Sequence, residues 1–296
     1  MTVPAFAEPK TVGSLLGWAR QVLDAAGVTN PAQEAQWLLE HALGMRSHQL
    51  VSAPEQPVSP NAWTRAESLV GRRAAREPLQ YLLGTQEFCG LEFDVSPAVL
   101  IPRTETELLV QEVVRRGGLD RGSVVVDVGT GSGCVAVTLA TIFSETRLLA
   151  IDRSLEALTV AKSNAAKHAV GDKIEWCEGD LLAPLREKEL SGGVAIIVSN
   201  PPYIAEMDWA QLQPEVRLFE PRMALIGGQT GTEFHQRLLQ EAREFLAPGG
   251  MLLMEVGQGQ APAVRRMAEQ VGGYAALRVI EDDAGIERVV IAQQIG

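Results

Sequence analysis

The sequence predicts a doubly wound, mostly parallel α/β sheet of seven strands, preceded by a small helical domain and a β-hairpin linker. Two observations predict this fold. From residue 123 onward, short β-branched runs alternate with segments of helical periodicity, the pattern of a parallel sheet covered by helices. Before residue 78, only helical periodicity is present. We therefore divide the chain into a helical domain (1–77), a linker (78–103) and an α/β domain (104–296).

Composition excludes several classes of protein. The 296 residues are 46% hydrophobic and 21% charged, as in ordinary globular proteins. The formal net charge of −11 disfavours nonspecific or stable binding to nucleic acid phosphates. No stretch approaches the ~18 apolar residues of a membrane span. Met1–Lys10 carries no signal-peptide pattern, so we expect a cytoplasmic protein, acting as a monomer, with no membrane association.

Cysteine and histidine usage gives no sign of a metal site or of disulfides. The three cysteines are widely spaced and lack the CxxC pattern, so we expect reduced core residues. The four histidines are scattered and form no HExxH motif, so we expect no metal.

The first 77 residues form helices in this prediction. A helix from Val12 ends near Gly27, a second begins after Asn30 as its N-cap, and a third begins at Ser59-Pro60. The third helix carries a run of arginines at positions 65, 72, 73 and 76. We favour a solvated helix face for this run over a contact with RNA or an acidic partner. Because no catalytic spacing occurs here, we interpret the domain as one for substrate recognition.

The linker and the α/β domain follow in order. Residues 78–95 alternate and carry turn residues, which predicts a β-hairpin, and Thr104 is a plausible N-cap for the next helix. The predicted strands of the sheet cover residues 123–128, 148–151, 173–177, 194–198, 251–256, 277–281 and 287–292. The last two are close enough along the chain to form an antiparallel pair.

Several loops at the carboxyl edge of this sheet predict a nucleoside pocket, where open α/β sheets bind ligands. The loop Gly129-Thr130-Gly131-Ser132-Gly133 lets the backbone approach a ligand. The dinucleotide fingerprint needs glycine or alanine at the sixth position, which is Cys134 here, so NAD is disfavoured.

Acidic residues at the same edge favour S-adenosylmethionine as the cofactor. Asp127 precedes the glycines, and Asp152 follows Gly133 by nineteen residues and can accept both ribose hydroxyls. Asp180 can accept from the adenine amino group, with Leu181 against the ring. Taken singly, each acid could instead cap a helix. The predicted cofactor-binding set is Asp127, Gly129, Thr130, Gly131, Ser132, Gly133, Asp152, Asp180, Leu181 and Asn200.

The segment Asn200-Pro201-Pro202-Tyr203 ends the fourth predicted strand. The prolines cannot continue a ladder, and Asn200 is held extended by the proline that follows it. The Asn200 side-chain oxygen and the Pro201 carbonyl can both accept hydrogen bonds from one NH2 group, and Tyr203 can stack behind its plane. The alternative is a proline-rich turn after a core strand.

A glycine-rich loop followed about seventy residues later by Asn-Pro-Pro-Tyr resembles methyltransferases that modify NH2 groups on planar systems. Flanking motifs make the chain similar, from about residue 12 onward, to the peptide chain release factor glutamine methyltransferases. These motifs are Tyr81-Leu82-Leu83-Gly84, Ile101-Pro102-Arg103-Thr104-Glu105-Thr106-Glu107, Glu215-Val216, Glu220-Pro221 and Ala224-Leu225. Two positions depart from the family: Thr104 replaces a usual proline, and Leu181 stands where some members have an aromatic residue.

The resemblance implies N5-methylation, from S-adenosylmethionine, of the glutamine in the Gly-Gly-Gln tripeptide of class I release factors. It implies catalytic roles for Asn200, Pro201, Pro202 and Tyr203, which with Arg103 also bind the substrate. An amide nitrogen is a poor nucleophile, so we expect these residues to act by positioning, without a dedicated general base.

Three other functions compete with this one. The nearest is methylation of amino groups of adenine or guanine in nucleic acid, which would need a basic groove. A non-catalytic interaction protein is disfavoured by the intact loop and acids, and a dehydrogenase by Cys134.

The tripeptide Gly227-Gly228-Gln229 repeats, within this chain, the sequence that the family methylates. We expect the two glycines to close a turn before a helix over residues 232–246, with Gln229 incidental.

Overall fold

The computed structural model describes residues 11–296. Met1–Lys10, for which we predicted no signal peptide, lie outside these residues. Contacts divide the chain into two compact units. A helical unit contains residues 11–84 and the segment Gln213–Phe219, and an α/β unit contains Thr85–Leu212 and Glu220–Gly296. The boundary thus falls seven residues beyond the predicted end of the helical domain, and a short later segment joins that unit.

The helices and strands alternate as predicted from residue 123 onward. The α-helices are α1 (Val12–Ala25), α2 (Pro31–Leu43), α3 (Ser47–Ser52), α4 (Pro60–Ala74), α5 (Leu79–Leu83), α6 (Glu107–Arg116), α7 (Cys134–Ile142), α8 (Leu155–Lys167), α9 (Pro214–Phe219), α10 (Glu233–Phe245) and α11 (Ala261–Val271). The strands are β1 (Thr85–Phe88), β2 (Leu91–Asp94), β3 (Val124–Val128), β4 (Arg147–Asp152), β5 (Ile174–Glu178), β6 (Val194–Ser199), β7 (Leu246–Glu255), β8 (Tyr274–Glu281) and β9 (Glu287–Gln294).

The helical unit packs around a core of its own that includes Trp18 and Trp63, whose ring centroids lie 6.1 Å apart. Helix α4 begins at Pro60, as predicted, and Ser59 caps it by accepting from the Ala62 backbone N–H at 3.4 Å. Asn30 occupies the N-cap position of α2, but its side chain makes no capping hydrogen bond. The proline at the first position of α2 sets the helical φ there instead.

The arginine run is largely paired within the helical unit. Buried Arg73 binds Glu34 at 2.5 Å and Glu215 at 3.1 Å, and Arg76 binds Glu215 at 2.7 Å. Arg72 pairs with Glu77 at 2.5 Å. These ion pairs connect α9 with α4 and the residues that follow it. The arginine run is therefore neither a solvated helix face nor a basic patch that is free to bind a partner.

Two local predictions near the linker are wrong. Residues 79–83 form the short helix α5, because their apolar side chains join the helical core, and the hairpin begins only at β1. Thr104 lies inside a 3-10 turn, and Thr106 is the N-cap residue of α6. The hairpin itself, β1 paired antiparallel with β2, is confirmed.

The seven-stranded sheet has the order β5-β4-β3-β6-β7-β9-β8. The first five strands of this order are parallel, and β9 runs antiparallel to both β7 and β8. Alternate residues of β3 enter different clusters, Val124 and Val126 in one and Val125 in the other. Both faces of the sheet are therefore covered, as expected for parallel strands that read as continuous apolar runs.

The strand order reverses at β3, whose two neighbours are β4 and β6. Loops that leave the carboxyl ends of β3 and β6 turn to opposite faces and open a crevice, the usual ligand site of such sheets. Within residues 11–296, no helix is both long enough and apolar enough to cross a bilayer.

Candidate active site

A pocket lies at this switch point and encloses about 1050 Å³, including its open mouth. Of the predicted site residues, those that line it are Arg103, Asp127, Gly129, Thr130, Gly131, Ser132, Asp152, Asp180, Leu181, Asn200, Pro201 and Pro202. Gly133 and Tyr203 lie next to these residues in sequence but outside the lining.

The glycine loop after β3 forms an open cradle. Gly129, Gly131 and Gly133 all have positive φ, between 56° and 81°, which L side chains rarely adopt. A β-carbon placed on Gly131 would meet only the Gly129 carbonyl oxygen, at 4.0 Å. Any larger side chain there would extend into the pocket, so the loop leaves room for a ligand to approach the backbone.

Asp127 stabilises this loop from inside. Its Oδ2 accepts from the Thr130 hydroxyl at 2.7 Å and from the Ala136 N–H at 3.2 Å. Burial raises the pKa of Asp127 to about 7, although both hydrogen bonds favour the carboxylate. Burial also raises the pKa of the neighbouring Cys134 thiol to about 12, so this cysteine is no nucleophile.

Asp152, at the end of β4, is the pocket acid best placed for hydroxyl groups. Its Oδ2 accepts from the Gly131 N–H and its Oδ1 from the Ser154 N–H, each at 2.9 Å. Burial raises its pKa, and these backbone hydrogen bonds oppose that rise. Each carboxylate oxygen retains a further lone pair, so the pair of oxygens can accept a vicinal diol.

Asp180 is engaged differently from our prediction. Its carboxylate pairs with Arg237 at 2.7 Å and is about half exposed, so an adenine amino group would have to share it. The next residue, Leu181, is buried with φ of +48° and lines the pocket. An aliphatic side chain is therefore available at this position to contact a ring. Among the described residues, no His, Cys, Asp or Glu cluster is arranged to hold a metal ion.

Asn200 follows β6 directly, and its side chain is part of a buried chain of hydrogen bonds. Its Nδ2 donates to the Thr106 hydroxyl at 3.0 Å, and that hydroxyl donates to Glu255 Oε2 at 2.6 Å. Glu255 is the last residue of β7 and only 1% exposed. Because the NH2 group of Asn200 donates to Thr106, the side-chain oxygen remains available to accept a hydrogen bond from another group.

The Asn-Pro-Pro-Tyr segment is supported by a neighbouring extended stretch. Ile204 and Ile226 form a parallel bridge, and the Gly227 N–H donates to the Ile204 carbonyl at 2.9 Å. Gln260 donates to the Tyr203 carbonyl at 2.8 Å while accepting from the Gly257 N–H. The segment is therefore an anchored part of the sheet edge, and the simple turn that we considered does not describe it.

Gln229 should not be methylated by the chain that carries it. Gly227, two residues before it, packs against the Asn-Pro-Pro-Tyr backbone, while Gln229 itself is exposed and absent from the pocket lining. We expect peptide mass mapping after long incubation with S-adenosylmethionine alone to find no added methyl group on Gln229. A stoichiometric gain of one methyl at this residue would contradict that expectation.

Arg103 is held at the pocket wall by an acid that the sequence did not single out for this role. Its guanidinium pairs with Glu220 at 2.5 Å, and the other Glu220 oxygen accepts from the Ile101 N–H at 3.1 Å. The Glu220 side chain is almost fully buried, whereas that of Arg103 is one-third exposed. Arg103 thus keeps donors available at the pocket wall.

Four residues of the site were missed as site residues, namely Thr106, Glu220, Glu255 and Gln260. Thr106 and Glu220 stand in motifs that carry the resemblance, but neither was predicted from the sequence to have a role in the site. Glu255 could have been noticed as a charged residue at the end of an apolar strand, where an acid must find partners. No local pattern marks Gln260.

Known proteins match this chain in sequence along most of its length. A family model for the PrmC N-terminal domain matches residues 14–84, and one for the methyltransferase small domain matches residues 103–216. The release factor glutamine methyltransferase of Geobacter sulfurreducens is 43% identical over 280 residues, which cover 95% of each chain. That of Moorella thermoacetica is 41% identical over 282 residues, covering 95% of this chain and 98% of its own.

Solved structures share the fold at lower identity. A methyltransferase from Pyrococcus furiosus superposes with a TM-score of 0.51 at 18% identity, covering 79% of this chain and all of that one. This likeness shows a methyltransferase fold alone. The assignment to a family depends instead on the two sequence relatives, which align over nearly their whole length. This chain belongs to the release factor glutamine methyltransferase family.

Proposed function

We propose that this chain transfers a methyl group from S-adenosylmethionine to the side-chain nitrogen (N5) of the glutamine in the Gly-Gly-Gln motif of class I release factors. The observation that carries the proposal is the Asn200 amide, which lies at the pocket with its NH2 group occupied and its oxygen left as an acceptor. An acceptor in this position suits a substrate NH2 group. We further propose that the chain acts as a cytoplasmic monomer.

The pocket residues fit S-adenosylmethionine. Asp152 would hold the ribose hydroxyls, Leu181 would contact the adenine, and the cradle formed by Gly129 and Gly131 would admit the methionine part. Asp127 would act through the loop, since its Oδ2 already accepts from the Thr130 hydroxyl and the Ala136 N–H. When bound, S-adenosylmethionine supplies an electrophilic methyl group on a sulfonium centre.

The chain's own contribution is orientation of the substrate amide. The Asn200 side-chain oxygen and the Pro201 carbonyl would each accept one hydrogen of the glutamine NH2 group, which leaves the nitrogen free to turn its lone pair toward the cofactor pocket. Holding reactants in this way can contribute up to ~7–11 kcal/mol of barrier reduction. The proton of the methylated amide can leave afterwards to water, so no general base is needed.

An exocyclic amino group of a nucleobase could meet the same two acceptors. The formal net charge of −11 and the pairing of Arg72, Arg73 and Arg76 with glutamates disfavour binding to a nucleic acid backbone. We therefore favour the protein substrate.

Mass analysis of a release factor tests the proposal. Incubation with this chain and S-adenosylmethionine should add one methyl group to the Gly-Gly-Gln peptide, and a release factor with Gln→Ala in that motif should gain none. Methylation of tRNA or rRNA with no change in the release factor would support the nucleic acid alternative.

Replacing Asp152 with alanine should weaken binding of S-adenosylmethionine by roughly 1.5–3 kcal/mol, the range for hydrogen bonds to a charged group. Isothermal calorimetry measures this directly. Arg153→Ala is a matched control, because the adjacent residue also lines the pocket but is not assigned to the ribose. Unchanged affinity in Asp152→Ala would place the ribose contact elsewhere.

We propose that the helical unit recognises the release factor, since the residues assigned to chemistry all belong to the α/β unit. A chain that starts at Pro78 loses Arg73 and Arg76, so it should carry Glu215→Gln to avoid an unpaired carboxylate. We expect it to keep its affinity for S-adenosylmethionine and its activity on a short Gly-Gly-Gln peptide, but to lose efficiency on intact release factor. Equal losses on peptide and protein would argue against this role.

A further inference from the structure

We propose that Glu255 is a positioning residue that sets the amide orientation of Asn200 through the Thr106 hydroxyl. The inference deepens the proposed function, since it concerns the acceptor assigned to the substrate NH2 group. It joins three segments of the α/β unit: the turn before α6, the end of β6 and the end of β7.

The direction of the hydrogen bonds follows from what each group can donate. An ionised carboxylate only accepts, so the single Thr106 hydroxyl proton must point to Glu255 along the 2.6 Å contact. Thr106 then has only lone pairs left for Asn200, 3.0 Å away. The Asn200 group facing Thr106 must therefore be the NH2, and its oxygen must face the other way.

Protonation of Glu255 removes this constraint. A carboxylic acid can donate to Thr106, which frees the Thr106 proton to point to Asn200. The Asn200 amide can then turn its oxygen toward Thr106 and present its NH2 to the pocket. In that state the site offers a donor to a substrate NH2 group, which is itself a donor, and the pairing fails.

The surroundings of Glu255 raise the pKa of its carboxyl group into the neutral range. Burial raises the pKa of Glu255 to about 7, and nearby Glu105 adds to the rise. The hydrogen bonds from Thr106 and Tyr203 and the positive charge of Arg288 oppose it. His235 contacts the Glu255 carbonyl at 2.7 Å, but burial lowers its pKa, so it stays neutral over this range. The orienting carboxylate is thus present above about pH 7 and lost below it.

Nuclear magnetic resonance of the Asn200 side-chain amide tests the inference without any substrate. The Nδ2 and Hδ2 signals, assigned by their loss in Asn200→Ala, should titrate with an apparent pKa near 7 in the unsubstituted chain. Glu255→Gln and Thr106→Val should each abolish that titration. Because Asp127 also has a pKa of about 7 and is intact in both variants, persistence of the titration would assign it to Asp127 and overturn the proposal.

Kinetics give the second readout. We expect kcat of the unsubstituted chain to fall below about pH 7, and this acid limb to be absent in Glu255→Gln. Thr106→Val should lower kcat by roughly tenfold to 100-fold, the scale of a misplaced catalytic group, with KM for S-adenosylmethionine changed little. Thr106→Ser, which restores the hydroxyl, should recover most of the loss.

The two readouts separate the failure of this inference from failure of the proposed function. If the unsubstituted chain methylates no release factor, the proposed function is wrong, while the amide titration still decides the role of Glu255. If Glu255→Gln does not fold, the Thr106→Val and Thr106→Ser variants test the same inference in its place. Equal activity and equal Asn200 spectra in Thr106→Val and the unsubstituted chain would overturn the inference.

Discussion

Replacing Asn200 with alanine should lower methyl transfer by about 100- to 1000-fold, the cost of removing one preorganised hydrogen-bonding group. The side-chain oxygen of Asn200 is the proposed acceptor for the substrate NH2 group, and its own NH2 is held by Thr106 at 3.0 Å. Without it, a substrate amide keeps one acceptor, the Pro201 carbonyl, and can rotate. Affinity for S-adenosylmethionine should remain close to that of the unsubstituted chain.

Single-turnover assays with saturating cofactor measure the methyl transfer, and calorimetry measures the cofactor affinity. Asn200→Asp is an informative companion, because it keeps an acceptor but loses the NH2 that binds Thr106 and adds a charge next to Glu255. Gln229→Ala is the control, since that side chain is exposed and away from the pocket lining. Methyl transfer by Asn200→Ala at the rate of the control would refute the role of the amide.

The sheet and its pocket edge could be predicted because their signals are local. Each central strand is an apolar run of five or six residues, and a parallel sheet brings the residues after these strands to one edge. Asp152 and Asn200 follow that rule and both line the pocket. The predicted fold, including the antiparallel pair β8 and β9, is confirmed.

The partners of these residues could not be predicted, because they are distant in sequence. Thr106 and Glu255 are separated by 149 positions, and Arg103 and Glu220 by 117. Neither member of these pairs has a pattern that points to the other. For the same reason the arginine run was misjudged, since Glu34 and Glu215 become its partners only after α2, α4 and α9 pack together.

Asp180 shows a different limit of sequence reasoning. Its position after β5 matched the expected place of an adenine-binding acid, and it does line the pocket. A strand end, however, is also close to the helices that cover the sheet, and Arg237 of α10 takes up the carboxylate at 2.7 Å. Position along a strand therefore predicted where this side chain lies but not what it binds.

Replacing Gly227 with alanine should disturb the Asn-Pro-Pro-Tyr segment and lower methyl transfer by roughly 100-fold. A β-carbon at Gly227 would clash with the Pro202 and Gly231 carbonyl oxygens and approach the Tyr203 Cα. These are backbone atoms, so no side chain can rotate away, and the segment itself must shift. Overpacking of this kind typically costs about 1–3 kcal/mol of stability.

The φ angle of Gly227 is not positive, so alanine suits its backbone and the expected effect is steric alone. Gly193→Ala is the matched control in the same unit: its φ is also not positive, and its nearest neighbour is the Leu190 carbonyl at 3.5 Å. Urea unfolding and single-turnover methylation should both separate the two variants, with Gly193→Ala near the unsubstituted chain. If Gly227→Ala matched that control in activity, the position of the Asn-Pro-Pro-Tyr segment would not depend on this contact, and the glycine pair would be as incidental as Gln229.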